Sequence, residues 1–268
     1  MRVFIFMLIL LALSGNSQAT PSIEEIIRHA NKTVYYQGQD GRASVKMTIT
    51  DSQGRKRKRQ MIILRLDQST SDEIENNAYE SDQKFYVYFK RPADVSKMAF
   101  LVWKHLDKDD DRWLYLPALD LVKRIAASDK RTSFAGSDFF YEDVSGRRLS
   151  EDKHELVETT KDYYVVKNTP KHPDTVEFAY YKMYIHKKSF IPVQVEYYDN
   201  NNKKYRIAKA LAVKTIQGFP TVTKASMSSL RTGSTTVMAY RKVEYNVGLQ
   251  EELFSERFLR NPPKKLLR

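Results

Sequence analysis

Residues Asp111–Asp143 read DRWLYLPALDLVKRIAASDKRTSFAGSDFFYED, and the fold turns on how this run is read. An aromatic strand over Arg112–Leu116 runs into Pro117, and a second short strand follows over Asp120–Ile125. Strand alternation puts Trp113 and Tyr115 on one face, and Leu114 and Leu116 on the other. A basic connector with Lys130 and Arg131 leads into the aromatic–acidic cluster Phe134–Asp143. Gly136 permits a turn, which Asp138 and Asp143 are expected to brace through backbone hydrogen bonds. Phe134, Phe139, Phe140 and Tyr141 then form a plug or lid at a cavity mouth. Ser137, Asp138, Glu142 and Asp143 read as caps and turn braces, not as nucleophile or acid/base, because short polar side chains beside glycine bond local backbone N–H groups.

Either side of this run the chain is almost all β. Before it, Ser22 and Glu25 form a capping box, and Ile23, Ile26, Ile27 and Ala30 recur on one helical face. Ala43, Val45, Met47 and Ile49 alternate with polar residues over 42–50, and Asp51–Gly54 turns the chain back. The return arm carries five consecutive cations, Arg55, Lys56, Arg57, Lys58 and Arg59. Two readings stand for them: a solvated edge that blocks strand association, or a contact with an anionic membrane or partner. Lys84–Lys90, with Phe85, and Ala99–Lys104, with Trp103, are apolar on both faces, so both faces are covered. The N-terminal helix is one expected cover.

After the central run, strands are predicted over His154–Thr160, Tyr163–Asn168, Val176–Lys187, Ile191–Asp199, Lys204–Gln217, Thr221–Arg231 and Thr235–Asn246. Short turns join most of them, as in an antiparallel meander. Leu249–Leu259 is predicted to close the fold as a short helix. The fold class is therefore mainly β with helices: one strongly curved antiparallel sheet wrapped round helices, in a half-barrel with an apolar concave side.

Residues 1–19 have a charged start, an apolar run and a small-residue end, which is the pattern of a cleaved signal peptide; that run is too short for a lasting span. The expected mature unit is a single domain over residues 20–268. The reading is a soluble protein of the Gram-negative periplasm. The formal charge of +12 favours anionic partners, and no nucleic-acid module accompanies it. With no cysteine, the chain has no disulfide, thiolate or lipid attachment through sulfur. The five histidines are scattered, and no nucleophile elbow or phosphate loop occurs. Asp107, Asp109 and Asp111 have D-x-D-x-D spacing, but Arg112 and Ala118 stand where a calcium loop needs Gly and Glu. The reading is no metal, no cofactor and no enzyme.

Several motifs together resemble a bacterial family. They are W-x-Y-L-P (Trp113, Tyr115, Leu116, Pro117), the basic pair Lys123 and Arg124, S-F-x-G-S-D-F-x-Y-E-D from Ser133 to Asp143, K-R-P at Lys90–Pro92, and L-F-S-x-R-x-L from Leu253 to Leu259. This pattern is similar to that of the outer-membrane lipoprotein-sorting proteins, the LolA-like group typified by a treponemal periplasmic lipoprotein. The resemblance implies a half-open antiparallel β-barrel with a helical lid and an apolar cavity. It also implies a carrier of lipid or lipoprotein acyl chains beside an RND-type exporter. The alternative is a lipid-responsive sensor or adaptor in envelope-stress signalling. Two departures stand out: no lipobox cysteine, and no glycine between Pro92 and Ala99, where the family pattern has one. Candidate cavity or lid residues are Met47, Phe85, Trp103, Trp113, Tyr115, Phe134, Phe139, Phe140 and Tyr141. The motif residues Pro117, Gly136, Ser137, Asp138, Glu142 and Asp143 are expected to be structural. On this reading, replacing Trp113 affects lipid binding more than folding.

Overall fold

A computed structural model of the chain describes residues 20–68 and 80–263. The signal-peptide reading of residues 1–19 lies outside the described residues. Helix α1, Ile23–Tyr35, begins at the expected capping box: the Ser22 hydroxyl accepts from the Glu25 N–H at 3.2 Å, and the Glu25 carboxylate accepts from the Ser22 N–H at 2.8 Å. Among the described residues, thirteen strands form one antiparallel sheet. They are β1 (Asp40–Thr50), β2 (Lys56–Asp67), β3 (Gln83–Arg91), β4 (Ala99–Lys104), β5 (Asp111–Leu116), β6 (Leu121–Arg124), β7 (Asp152–Thr159), β8 (Tyr163–Pro170), β9 (Tyr180–His186), β10 (Pro192–Tyr198), β11 (Lys204–Ile216), β12 (Phe219–Ser229) and β13 (Ser234–Tyr245).

Their spatial order explains the whole topology. It runs β6-β5-β4-β3-β2-β1-β13-β12-β11-β10-β9-β8-β7. The chain builds outward from β1 to the edge strand β6. It then crosses to the opposite edge, β7, and meanders back until β13 pairs with β1. Every pairing is between sequence neighbours except β1 with β13, in which Met47 faces Met238. The sheet does not close, since β6 and β7 remain its edges. It curves nonetheless: α1 packs against both β12 and the far edge strand β7.

The crossing from β6 to β7 is the central run identified in the sequence. Residues 132–140 fold into a miniature hairpin, with Phe134 N–H bonded to the Phe139 carbonyl at 2.8 Å and a bridge between Ser133 and Phe140. Ala135 and Gly136 both take left-handed backbone angles, φ 51° and 69°, so glycine is needed for the turn and Ala135 carries strain. The buried Ser137 hydroxyl braces it by donating to the Phe134 carbonyl at 2.7 Å. Helix α2, Tyr141–Ser145, follows; its first turn is capped by Asp143, which accepts from the Phe140 N–H at 2.6 Å. Gly146 ends it at φ 78° with the Tyr35 ring packed where a Cβ would stand, which locks α1 against the crossing.

Strands β3 and β4 are buried on both faces, as their composition requires. The covers differ from expectation. On the inner face Phe134 and Tyr141 pack on Phe89 and Phe100, with ring centroids 5.1–5.7 Å apart. On the outer face lie Leu249, Phe254 and Leu259 of the C-terminal segment. Helix α1 covers β8 and β9 instead, through Ile26, Ile27 and Ala30 against Tyr164, Val166 and Ile185. The C-terminal segment is two short pieces, a 3-10 turn Glu251–Phe254 and helix α3, Arg257–Arg260, and not one helix over Leu249–Leu259. The predicted Val176–Lys187 strand shortens to Tyr180–His186 because Pro173–Thr175 form a 3-10 turn and Phe178 drops into a separate aromatic cluster. Where the family pattern has glycine before β4, Lys97 itself takes the left-handed position at φ 68°.

Asp138 pins the crossing to the middle of the sheet. Its carboxylate accepts from the hydroxyls of Ser234 and Thr236 on β13, the latter at 2.7 Å, while its N–H donates to Thr236 Oγ1 at 3.0 Å. The brace therefore runs to side-chain hydroxyls of a distant strand, not to local backbone. Substituting Asp138→Ala should cost about 1–3 kcal/mol of stability, read as a lower urea midpoint, with Asp138→Asn intermediate.

Candidate functional site

A cavity of about 430 Å³ lies between the inner face of the sheet, α1 and the crossing. That size is within the ~300–1,000 Å³ usual for small-molecule sites. Helix α1 contributes Ile27, Ala30 and Val34, β3 contributes Phe85, and the crossing contributes Phe134, Phe139 and Val144. The opposite wall carries Met183, Val195, Met227 and Met238, whose thioethers suit occupants of varied shape. Small side chains, Ala43, Ala208, Ala210 and Ala225, leave the space open.

One wall is polar. The carboxylate of Glu142 on α2, 3% exposed, receives Arg131 at 2.9 Å, Lys130 at 3.2 Å and Arg147 at 3.4 Å. Arg131 also grips Glu177 through two bonds of 2.5 and 2.9 Å, and Arg147 grips Asp152 through bonds of 3.0–3.1 Å. The buried Arg206 of β11 pairs with Asp143 and donates to the Asp138 carbonyl at 2.9 Å. Phe140 is held between the guanidinium groups of Arg206 and Arg131, at 4.0 and 4.9 Å from its ring centroid. Such buried ions persist only when paired, and each of these is, although among the described residues Arg206 Nε has no hydrogen-bond partner. The network therefore fixes the crossing at a defined place above the sheet. Burial opposes the charge of Glu151, but Arg147 and Lys130 outweigh it and hold the carboxyl down at about 2.

Helix α1 is anchored at one end. Arg65 donates to the carbonyls of Tyr35, Gln37 and Gly38, the last two at 2.6 and 2.8 Å, and Gln83 donates to the Tyr35 carbonyl at 2.8 Å. Lys104 is buried beneath the rings of Tyr35 and Tyr36, its ammonium 5.5 Å from each, and desolvation pushes its pKa down.

The expected site residues separate into three groups. Phe85, Phe134 and Phe139 line the cavity. Met47 and Tyr141 lie in the core directly beneath it, and Phe140 is locked in the ion network. Trp103, Trp113 and Tyr115 are on the other face of the sheet. Trp113 packs edge-on against Trp103, the Trp103 indole donates to the Phe254 carbonyl at 2.7 Å, and the Tyr115 hydroxyl donates to Asp120 at 3.1 Å. The alternation was right but its sides were reversed: Leu114 and Leu116 face the inner core. Pro117 opens a 3-10 turn at the β5–β6 corner. The cationic arm also divides by face. Lys56 and Lys58 point outward and are exposed, and Arg55 pairs with Asp51 at 2.7 Å. Arg57 and Arg59 turn inward and donate to the Gly136 and Ala135 carbonyls at 3.2 and 3.1 Å, so they hold the strained turn. Asp110 and Asp111 are engaged by Arg112 and His105 at 2.5 and 3.2 Å. Sequence reasoning missed Arg206, Met183, Met227, Met238 and Tyr197, on strands remote in sequence from the central run, and Glu177, in the segment that leads into β9.

This geometry is that of a LolA-like half-barrel. A family model described as an uncharacterized protein matches residues 81–261, more than half of the chain. The chain belongs to that family. A DUF1329-family protein from Desulfovibrio piger superposes with a TM-score of 0.78 at 28% identity, over 90% of this chain and 100% of the other. An outer-membrane lipoprotein-sorting protein domain from Vibrio parahaemolyticus gives 0.76 at 25%, over 88% and 97%. A LolA-superfamily protein from Nitrosomonas europaea shares the fold, at 0.67 and 16%, over 89% and 100%. No curated protein matches the chain.

The placement of Trp113 reverses the expectation drawn from sequence. Trp113→Ala should cost about 3–5 kcal/mol of stability in urea denaturation while leaving the cavity's affinity for apolar dyes unchanged. Glu151 supplies a pH dependence. Its folded pKa of about 2 lies below the ordinary value of 4.5, so its contribution is full above pH 4.5 and is lost as pH falls toward 2. The Glu151→Gln protein should be less stable than the parent at pH 7, and the gap should narrow toward pH 2 in melting experiments.

Proposed function

We propose that this protein is a periplasmic lipid carrier, a single domain over residues 20–268 that takes a lipid or lipoprotein acyl chain into its cavity and moves it between envelope membranes. The observation that carries the reading is the apolar cavity between the sheet and α1, reached without any need for a reacting group. Burying methylenes is worth ~0.8 kcal/mol each, so a sixteen-carbon chain gains roughly 12 kcal/mol and leaves a membrane through water only slowly. A soluble cavity removes that barrier. Helix α1 serves as the lid: its C-terminal end is tethered by Arg65 and Gln83, and its apolar face forms the cavity roof. The likeness to a lipoprotein-sorting domain supports the same reading. Among the described residues no helix is long and apolar enough to cross a membrane.

The outer face suits approach to a bilayer. Lys46, Lys56, Lys58, Lys224 and Arg241 are exposed on neighbouring strands β2, β1, β13 and β12, in registers that place Lys46 opposite Gln60 and Ala239, and Lys224 opposite Ala239. Ser44, Thr48, Thr50 and Ala239 lie between them, with neither acid nor aromatic. Stable protein interfaces have aromatic cores and few lysines, whereas anionic lipid attracts each cation by about 1 kcal/mol. The donor is proposed to be an RND-type exporter in the inner membrane. Mild purification from a Gram-negative host, followed by mass spectrometry of an organic extract, should find lipid in stoichiometric amount. The same protein should sediment with phosphatidylglycerol vesicles in low salt only. Lipid-free protein that also ignores fluorescent acyl probes would sink the carrier reading.

A further inference from the structure

The polar wall of the cavity constrains the part of the ligand that is not a hydrocarbon chain. Its guanidinium groups are committed. Arg42 faces Glu244 at 3.5 Å, Arg65 caps α1, Arg131 holds Glu142 and Glu177, and Arg147 holds Asp152. The remaining cation at the lining, Lys209, is exposed to solvent. Two carboxylates, Glu142 and Asp143, line the same wall. An anionic head entering here would lose its water, find each guanidinium already paired and face like charge, which is the costly form of ion burial.

Uncharged hydrogen-bonding groups are available instead. Tyr35 and Tyr197 line the cavity, and among the described residues their hydroxyls have no hydrogen-bond partner. A third lining hydroxyl, on Tyr240, touches only the Met238 sulfur, at 3.4 Å. The other lining tyrosines are engaged, Tyr181 by Asp152 at 2.7 Å and Tyr245 by Thr221 at 2.9 Å. Burial drives the hydroxyl pKa values of Tyr197 and Tyr240 up to about 12 and that of Tyr35 higher, so all three remain protonated donors. A phenol hydroxyl can both donate and accept, as the hydroxyl of a ligand does, so these three groups match a hydroxyl-bearing head.

Resting on the carrier reading, we infer that the cavity selects a single-chain amphiphile with an uncharged, hydroxyl-bearing head, as in a monoacylglycerol, and rejects the same chain with a phosphate. One drug-sized volume accommodates such a ligand. The head sits against Tyr35 and Tyr197, and the chain lies among Met183, Met227 and Met238.

The test is equilibrium dialysis of the full mature chain at pH 7.5 with radiolabelled 1-palmitoylglycerol and, in parallel, 1-palmitoylglycerol 3-phosphate, which differ only at the phosphate. The uncharged lipid should bind at least about tenfold more tightly, as one unpaired buried charge requires. In Tyr35→Phe and Tyr197→Phe, which keep the ring, its affinity should fall about fivefold each, with melting temperature unchanged. Equal or tighter binding of the phosphate overturns the head selectivity and leaves the carrier reading standing. Binding of neither lipid, nor of 1-aminoanthracene, overturns both.

Discussion

Everything in this fold depends on how the chain crosses from one edge of an open sheet to the other. A crossing over the apolar face of a sheet must satisfy its own backbone polar groups without a partner strand. Here side chains supply the solution, most of them from distant strands. Asp138 is anchored by two hydroxyls of β13, Asp143 by Arg206, and Glu142 by three cations, while Arg57 and Arg59 take the carbonyls of the strained turn. These attachments reach strands from both halves of the sheet. The crossing therefore acts as a strut, and the cavity is the space the strut and α1 enclose without filling.

That origin explains the two characters of the cavity. The sheet supplies Met, Val and Ala side chains from strands whose inner face has no second sheet to pack against. The strut supplies charge, because the groups that fix it also form one wall. A fold that filled this space with larger side chains would be more stable and would hold no ligand. Helix α1 is fastened at its C-terminal end by Arg65 and Gln83 and packs on β8 and β9 along its length.

The sequence made the strands legible wherever alternation and turn residues coincide, as at Ala43–Ile49 before Gly54. It also made the capping box of α1 and the turn at Gly136 legible, since both are local chemistry. The inner and outer sides of β5 were not legible. Leu114 and Trp113 are equally apolar partners for a core, and only the long-range docking of Phe254 and Leu259 decides which face is which. For the same reason the basic run 55–59 reads as one patch in sequence but splits in space, because alternation sends Arg57 and Arg59 to the strut and Lys56 and Lys58 to solvent. Arg206 and Tyr197 carry no local signal; the meander brings them to the site from the other half of the chain.

The central claim is that lipid occupies the space between the strut, α1 and the sheet in the living cell. Photo-crosslinking tests it directly. A benzophenone residue replacing Val195, in the cavity wall, should capture lipid on irradiation of intact cells, whereas the same residue replacing Val157, exposed on edge strand β7, should not. Equal capture at both positions, or none at Val195 in a folded protein, would contradict the account.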